Sequence, residues 1–321
     1  MHRVALLYNP ASGQHPERRS KDIAAVLAVL REAGVEVEAI TTGSAESAGM
    51  KTLEAVERGC DTILACGGDG TVHAAMQSLV GKTAALGVIP MGTANALAAD
   101  LGVPGDPVSA AKKMLAATPV QVPVGRVFYR DHDGAPQSCY FIVAAGIGAD
   151  ALFLTRLDAR LKQRFGYALY VVEAFRLWAT HSFPMFAASF LEDEEKAPRV
   201  VQASQLLAVR ISDFGGLLHN LVPGAALKNN HLRVIAFKTR SRYRYMRFMF
   251  AVLAARHTFG RTVELVKAVQ VDCTDLPGST ARLYVEADGE LLGTLPAKIE
   301  VVPQALTLLI PPRPPKRGLQ V

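Results

Sequence analysis

The stretch Asp61-Thr62-Ile63-Leu64-Ala65-Cys66-Gly67-Gly68-Asp69-Gly70-Thr71-Val72 decides the fold of this 321-residue chain. Its first half is a short apolar run of the kind that forms a buried strand. From Thr71 onward, Val72, Ala75, Met76 and Leu79 recur at helical spacing. Between them lies a glycine-rich turn at a helix N-terminus, where unpaired N–H groups and the positive end of the helix dipole face one point. That is a ready anion site. Gly67, Gly68 and Gly70 let the backbone approach a phosphate as no residue with a Cβ can, and Thr71 adds a hydroxyl. The carboxylate of Asp69 does not bind phosphate directly; it suits a metal ion riding on phosphates, Mg²⁺ held through water. A tight strand-to-helix turn without ligand is the competing reading of one such loop.

Two more loops of this kind follow apolar runs. Asn9-Pro10-Ala11-Ser12-Gly13 comes after Val4-Ala5-Leu6-Leu7-Tyr8, and Pro90-Met91-Gly92-Thr93-Ala94-Asn95 after Ala85-Leu86-Gly87-Val88-Ile89. In an open parallel sheet such loops gather at the carboxyl ends of the strands, where ligands bind. Three of them are hard to explain as turns alone. A phosphate cradle is therefore expected from Gly67, Gly68, Gly70 and Thr71, surrounded by Asn9, Pro10, Ser12, Gly13, Thr93 and Asn95. Thr42, in Thr41-Thr42-Gly43-Ser44, is either a further nucleotide contact or part of an N-cap for a helix starting near Glu46. Gly81-Lys82-Thr83 lacks the first glycine of a P-loop, and His73 is read as a packing or capping residue.

Strands and helices alternate over the first 120 residues, the signature of a mostly parallel α/β sheet. Helices are expected over 18–33 and 108–116, with a strand over 35–40. Near Pro119 to Pro123 the pattern turns to strands: 124–130, 139–145, 185–191, 200–211, 232–237 and 263–272, with helices at 167–179 and 243–255. That pattern argues for a β-sandwich. The expected domains are 1–122, rejoined by 304–321, and 123–303. Residues 311–317 read as a stiff basic tail.

The formal charge is +6, and the four cysteines form no CxxC pair. No signal peptide is visible, no apolar run is long enough to span a bilayer, and the reading is a cytosolic protein. Residues 238–261 hold seven basic and no acidic side chains, interleaved with Tyr243, Tyr245, Met246, Phe248, Met249, Phe250 and Leu253. Such a helix, over 240–256, suits an anionic membrane surface on the inner face; a core helix with a solvated basic face is the bland reading. No nucleic-acid module accompanies the patch.

NPASG, GGDGTVH and PMGTANALAADLG resemble the catalytic domain of the diacylglycerol kinase family, which includes bacterial diacylglycerol kinase-like and sphingosine kinase-like lipid kinases. The likeness reaches Ala145-Gly146-Ile147-Gly148-Ala149-Asp150-Ala151 and Val285-Glu286-Ala287-Asp288-Gly289-Glu290, nearly the whole chain. It implies a first domain like those of phosphofructokinase and NAD kinase, ATP and Mg²⁺ as cofactors, and a lipid substrate. The implied activity is transfer of the γ-phosphate of ATP to a hydroxyl of diacylglycerol or a related lipid, in a cleft between the domains. By residue pattern, Asp288-Gly289 is first a type I′ hairpin turn, with Arg282, Tyr284, Glu286 and Asp288 on the polar face of its strand. The resemblance makes it catalytic: Asp288 or Glu290 would accept the proton of the lipid hydroxyl.

The chain departs from the family pattern in two places. Where many members carry carboxylates for a structural metal, it has Lys228-Asn229-Asn230-His231-Leu232-Arg233-Val234. No structural Mg²⁺ is expected there, and Lys228 or Arg233 is the candidate replacement charge. Ala96 stands where many members have Asp. The rival readings are a NAD kinase and a non-catalytic lipid-binding protein of the same fold.

Overall fold

The computed structural model describes residues 1–10, 16–148, 180, 182–193, 197–215, 221–253 and 259–312. The chain divides into two compact units, Met1–Gln121 with Leu306–Val321, and Val122–Ala305. In the first, β1 (Arg3–Tyr8), β2 (Glu36–Thr41), β3 (Thr62–Gly67) and β4 (Ala85–Pro90) alternate with α1 (Pro16–Glu32), α2 (Ala45–Glu57) and α3 (Asp69–Leu79). Two short helices follow, α4 (Ala96–Asp100) and α5 (Pro107–Leu115). Every residue of β3 and β4 is buried, as in a parallel sheet covered on both faces.

The strands run parallel in the order β2-β1-β3-β4, and the end of β15 (Glu290–Ile310) joins parallel to β4. The order reverses at β1, the topological switch point where such sheets bind ligands. Tyr8 is level with Thr41 and Cys66, and Cys66 with Ile89. Asn9, Thr42, Gly67 and Met91 therefore emerge along one edge. Ser44 caps α2 in a reciprocal pair with Ser47: the Ser47 N–H donates to Ser44 Oγ at 3.2 Å and the Ser44 N–H to Ser47 Oγ at 3.0 Å.

The second unit is β-sandwich-like. It contains β5 (Thr118–Arg130), β6 (Pro136–Phe141), β7 (Ala144–Ile147), β8 (Phe186–Leu191), β9 (Arg199–Ala203), β10 (Gln205–Val209) and β11 (Leu232–Phe237). After α6 (Arg242–Leu253) come β12 (Val263–Ala268), β13 (Gln270–Asp275), β14 (Tyr284–Ala287) and the first part of β15. The order is β12-β11-β10-β7-β14-β15, with β13, β8 and β9 continuing from β15. Val127, Phe141, Phe186, Phe190, Leu206 and Val271 fill the core.

Three of the expected strands are interrupted. The run over 139–145 is two strands, because the N–H groups of Ile142, Val143 and Ala144 turn to the carboxylate of Asp288. The run over 200–211 breaks at Ser204, whose hydroxyl is 2.6 Å from the Thr239 carbonyl oxygen and 2.7 Å from the Tyr245 hydroxyl. The run over 263–272 breaks at Val269, whose N–H donates to Leu191 at 2.8 Å. The helix expected over 167–179 and the tail beyond 312 lie outside the described residues. The polar face expected on β14 is also corrected: the strand lies between β7 and β15, and Glu286 is 6% exposed.

Arg210 follows β10 and is fully buried. Its Nη1 donates to the carbonyls of Asn229 (2.6 Å) and His231 (3.0 Å), its Nη2 to those of Pro123 (2.9 Å) and Leu227 (2.8 Å). Burial pushes the guanidinium down to about 10, still charged at neutral pH. Two of these four carbonyls, those of Asn229 and His231, belong to the segment where the resemblance implies a structural metal. The segment has no carboxylate and its oxygens are taken by a guanidinium, so the residues present do not fit a divalent ion there. Arg210, rather than Lys228 or Arg233, carries the charge: Lys228 is exposed, and Arg233 Nε donates outward to Pro223 at 3.0 Å. Arg210→Met strips four buried carbonyls of their donor and is expected to cost on the order of 3 kcal/mol or more in urea unfolding. A chelator is expected to leave the wild-type Tm unchanged; a Tm drop in EDTA would reveal a structural metal.

Candidate active site

The loop 67–71 and the loop 91–95 are built against each other. A Cβ on Gly92 would collide with Cα of Gly68, and one on Gly67 with the side chain of Thr71. The space left by Gly67 and Gly92 is thus filled by protein. Gly68 is the N-cap of α3 and supplies no side-chain cap to the helix start. The Thr71 N–H turns back to the Gly68 carbonyl at 3.0 Å.

Asp69 links the two loops. Its Oδ2 accepts the Asn95 N–H at 2.9 Å and its Oδ1 the Ala96 N–H at 2.8 Å. The carboxylate thereby caps α4 from a neighbouring loop, and any metal contact shares these oxygens. Asn95 takes a left-handed conformation with φ 50°. Its amide closes the turn, donating from Nδ2 to the Gly92 carbonyl at 2.8 Å and accepting the Gly92 N–H at 3.0 Å. Thr93 is exposed at the tip.

Arg19 was not singled out by sequence, because an arginine on an amphipathic helix reads as a solvated face. It is buried and donates from Nη2 to the Met91 carbonyl at 2.8 Å and from Nη1 to the Asn9 carbonyl at 3.3 Å. A cation thus ties the ends of β1 and β4, and burial lowers its pKa. Pro10 is exposed; Thr42 is buried, its N–H bonded to the Tyr8 carbonyl at 2.8 Å. Ser12 and Gly13 lie outside the described residues. His73 is buried, its Nε2 3.3 Å from Gln77 Nε2 one helical turn on.

In the second unit, Asp288 and Gly289 form a two-residue turn, with φ of 50° and 85°, as a type I′ hairpin requires. Asp288 is also held sideways. Its Oδ1 accepts from Val143 (2.8 Å), Ala144 (3.1 Å) and Ile142 (3.3 Å), and its Oδ2 from Ile142 at 3.0 Å. Its own N–H donates to the Ala144 carbonyl at 2.8 Å. The carboxylate thus anchors the turn in a nest of main-chain donors, Oδ1 taking three of them and Oδ2 one. Below, the Gly289 N–H donates to Glu286 Oε2 at 3.0 Å. Glu290 is exposed, and its side chain has no hydrogen bond or ion pair among the described residues.

Gly92→Ala must push the two loops apart. It is expected to cost about 1–3 kcal/mol of stability and to weaken nucleotide binding, read by isothermal titration, more than an alanine at exposed Gly43. Equal affinity for both variants would separate the loop contact from ligand binding.

Residues 3–127 match the model of the diacylglycerol kinase catalytic domain, and residues 141–310 that of the YegS C-terminal NAD kinase beta sandwich-like domain. A diacylglycerol kinase of Mycobacterium tuberculosis is 30% identical over 312 residues, covering 96% of this chain and 95% of that protein. One from Bacillus subtilis is 26% identical over 301 residues, 93% of each. The crystal structure of a diacylglycerol kinase from Bacillus anthracis aligns over 97% of both chains with a TM-score of 0.72 at 19% identity. Yeast NADH kinase in complex with NADH aligns over 97% of this chain and 84% of its own, TM-score 0.51 at 8% identity, a likeness of fold alone. With both halves matched and a relative similar from end to end, the chain belongs to the diacylglycerol kinase family, phosphotransferases with an alcohol group as acceptor.

Proposed function

We propose that the protein passes the γ-phosphate of ATP to a hydroxyl of diacylglycerol or a related glycerolipid or sphingoid base. The observation that carries this reading is the N-terminus of α3, whose N-cap Gly68 supplies no side-chain cap and which is held between clamped loops. Its N–H groups and dipole suit nucleotide phosphates, with Gly68, Gly70 and Thr71 at the helix start and Asn9, Pro10, Ser12, Gly13, Thr42, Thr93 and Asn95 as the surrounding contacts. A Mg²⁺ carried in on the phosphates, and reached by Asp69 through water, would neutralise their charge during transfer.

Asp288 is the residue we assign to the lipid hydroxyl. A carboxylate whose Oδ1 is gripped by main-chain donors is rigid, and phosphoryl transfer asks its base mainly to orient the attacking oxygen. Oδ2 would accept the hydroxyl proton, with exposed Glu290 assisting. We place the reaction at a membrane surface approached by α6, whose outer face carries basic and aromatic side chains. Among the described residues no helix is long and apolar enough to cross a bilayer.

Transfer of labelled γ-phosphate from ATP to a panel of lipids in mixed micelles tests the reading. Wild type should label a lipid. Asp288→Asn can keep its amide oxygen in the nest and should bind ATP normally, yet fall by about 10²–10⁴-fold in kcat. Full turnover by this variant would remove Asp288 from the chemistry. Labelling of NAD and of no lipid would replace the lipid substrate by a soluble one.

A further inference from the structure

Among the described residues, α6 packs on its unit through one face. The ring of Tyr245 stacks on Phe183 at 4.2 Å and on Phe237 at 4.6 Å, and its hydroxyl lies 2.7 Å from Ser204 Oγ. Phe248 meets Phe237 edge-on at 5.1 Å, and Val252 is buried one turn further. Residues 245, 248 and 252 fix the rotation of the helix. The opposite stripe, 243, 247 and 250, then faces solvent with Tyr243 at 74% and Phe250 at 63% exposure. Large rings left in water beside a firmly packed helix call for an occupant.

Next to that stripe lies a cavity of about 380 Å³ lined by Tyr243, Arg244, Arg247, Phe259 and Arg261. None of the three guanidiniums has a hydrogen-bond or ion-pair partner among the described residues. The nearby carboxylate, Glu264, is already spent: its Oε2 is 2.7 Å from Lys238 and its Oε1 2.9 Å from Arg199. Three cations facing one cavity repel each other until an anion enters, and the planar fork of arginine matches phosphate oxygens two at a time. A soluble phosphate would satisfy the arginines but not the exposed rings. Aromatic side chains with one wet and one apolar end belong at a bilayer interface.

We infer that this cavity takes the phosphate headgroup of an anionic phospholipid in a bilayer, with Tyr243 and Phe250 entering the interfacial layer beside it. The inference deepens the membrane placement proposed above and rests on it only for the location of the lipid substrate. It gives the second unit a headgroup site of its own, distinct from the Asp288 turn.

Sedimentation with vesicles of phosphatidylglycerol in phosphatidylcholine, against phosphatidylcholine alone, tests it. Wild type should bind the anionic vesicles and leave the neutral ones. Arg244→Gln, Arg247→Gln and Arg261→Gln combined should weaken that binding by on the order of 100-fold, and Phe250→Ser alone should weaken it too. Wild-type binding by the triple variant would overturn the site. So would binding that inorganic phosphate abolishes and Phe250→Ser leaves intact, since the cavity would then hold a soluble anion. Both variants should phosphorylate a short-chain, water-soluble diacylglycerol as wild type does. Vesicle binding without phosphorylation of any lipid would leave this site standing and refute the kinase reading instead.

Discussion

Main-chain N–H groups at a bend have no ladder partner, and burying them unpaired is costly. Two carboxylates meet that demand here, one in each unit. Asp69 takes the N–H groups of Asn95 and Ala96, and Asp288 those of Ile142, Val143 and Ala144. Hydrogen bonds to an ionised acceptor are about twice as strong as neutral ones. Each carboxylate therefore fixes a loop that its own strand or helix does not reach. Asp69 sits at the helix start proposed to hold phosphate, and Asp288 in the turn proposed to hold the hydroxyl.

Two arginines do the complementary task for carbonyls. Arg19 ties Asn9 to Met91, and Arg210 gathers Pro123, Leu227, Asn229 and His231. A guanidinium in a carbonyl cage needs neither a carboxylate partner nor a metal. It does carry a desolvation cost: Arg210 Nε is buried without an acceptor. That cost is tolerable where four other bonds are made, and the cage holds a segment that carries no acidic residue.

The α/β unit was legible because β1, β3 and β4 are apolar runs, β2 alternates, and glycine marks the loops between strand and helix, so period and punctuation agree. α1 and α5, expected over 18–33 and 108–116, fall at Pro16–Glu32 and Pro107–Leu115. The type I′ turn at Asp288 was legible for the same reason. The strand breaks at 142–143, 204 and 269 were not. Each arises from a partner distant in sequence, and an apolar run carries no mark of where its ladder will be interrupted. Arg19, Arg210 and Glu286 were missed on a related ground. Charged residues are read as exposed, and only the fold reveals the main-chain groups that make their burial tolerable. The glycines of the two phosphate-side loops were recognised, but their packing against each other was not.

The family, the α/β and β-sandwich-like architecture and the acceptor class rest on matches along nearly the whole chain. What the geometry adds is a physical account of how acidic side chains hold the loops proposed for phosphoryl transfer. Hydrogen exchange measured on wild type, Asp69→Ala and Asp288→Ala, which remove the acceptors outright, tests this most directly. The account predicts that the amides of Asn95 and Ala96 lose protection in Asp69→Ala alone, and those of Ile142 to Ala144 in Asp288→Ala alone. Unchanged protection at either set in its matching variant would contradict it.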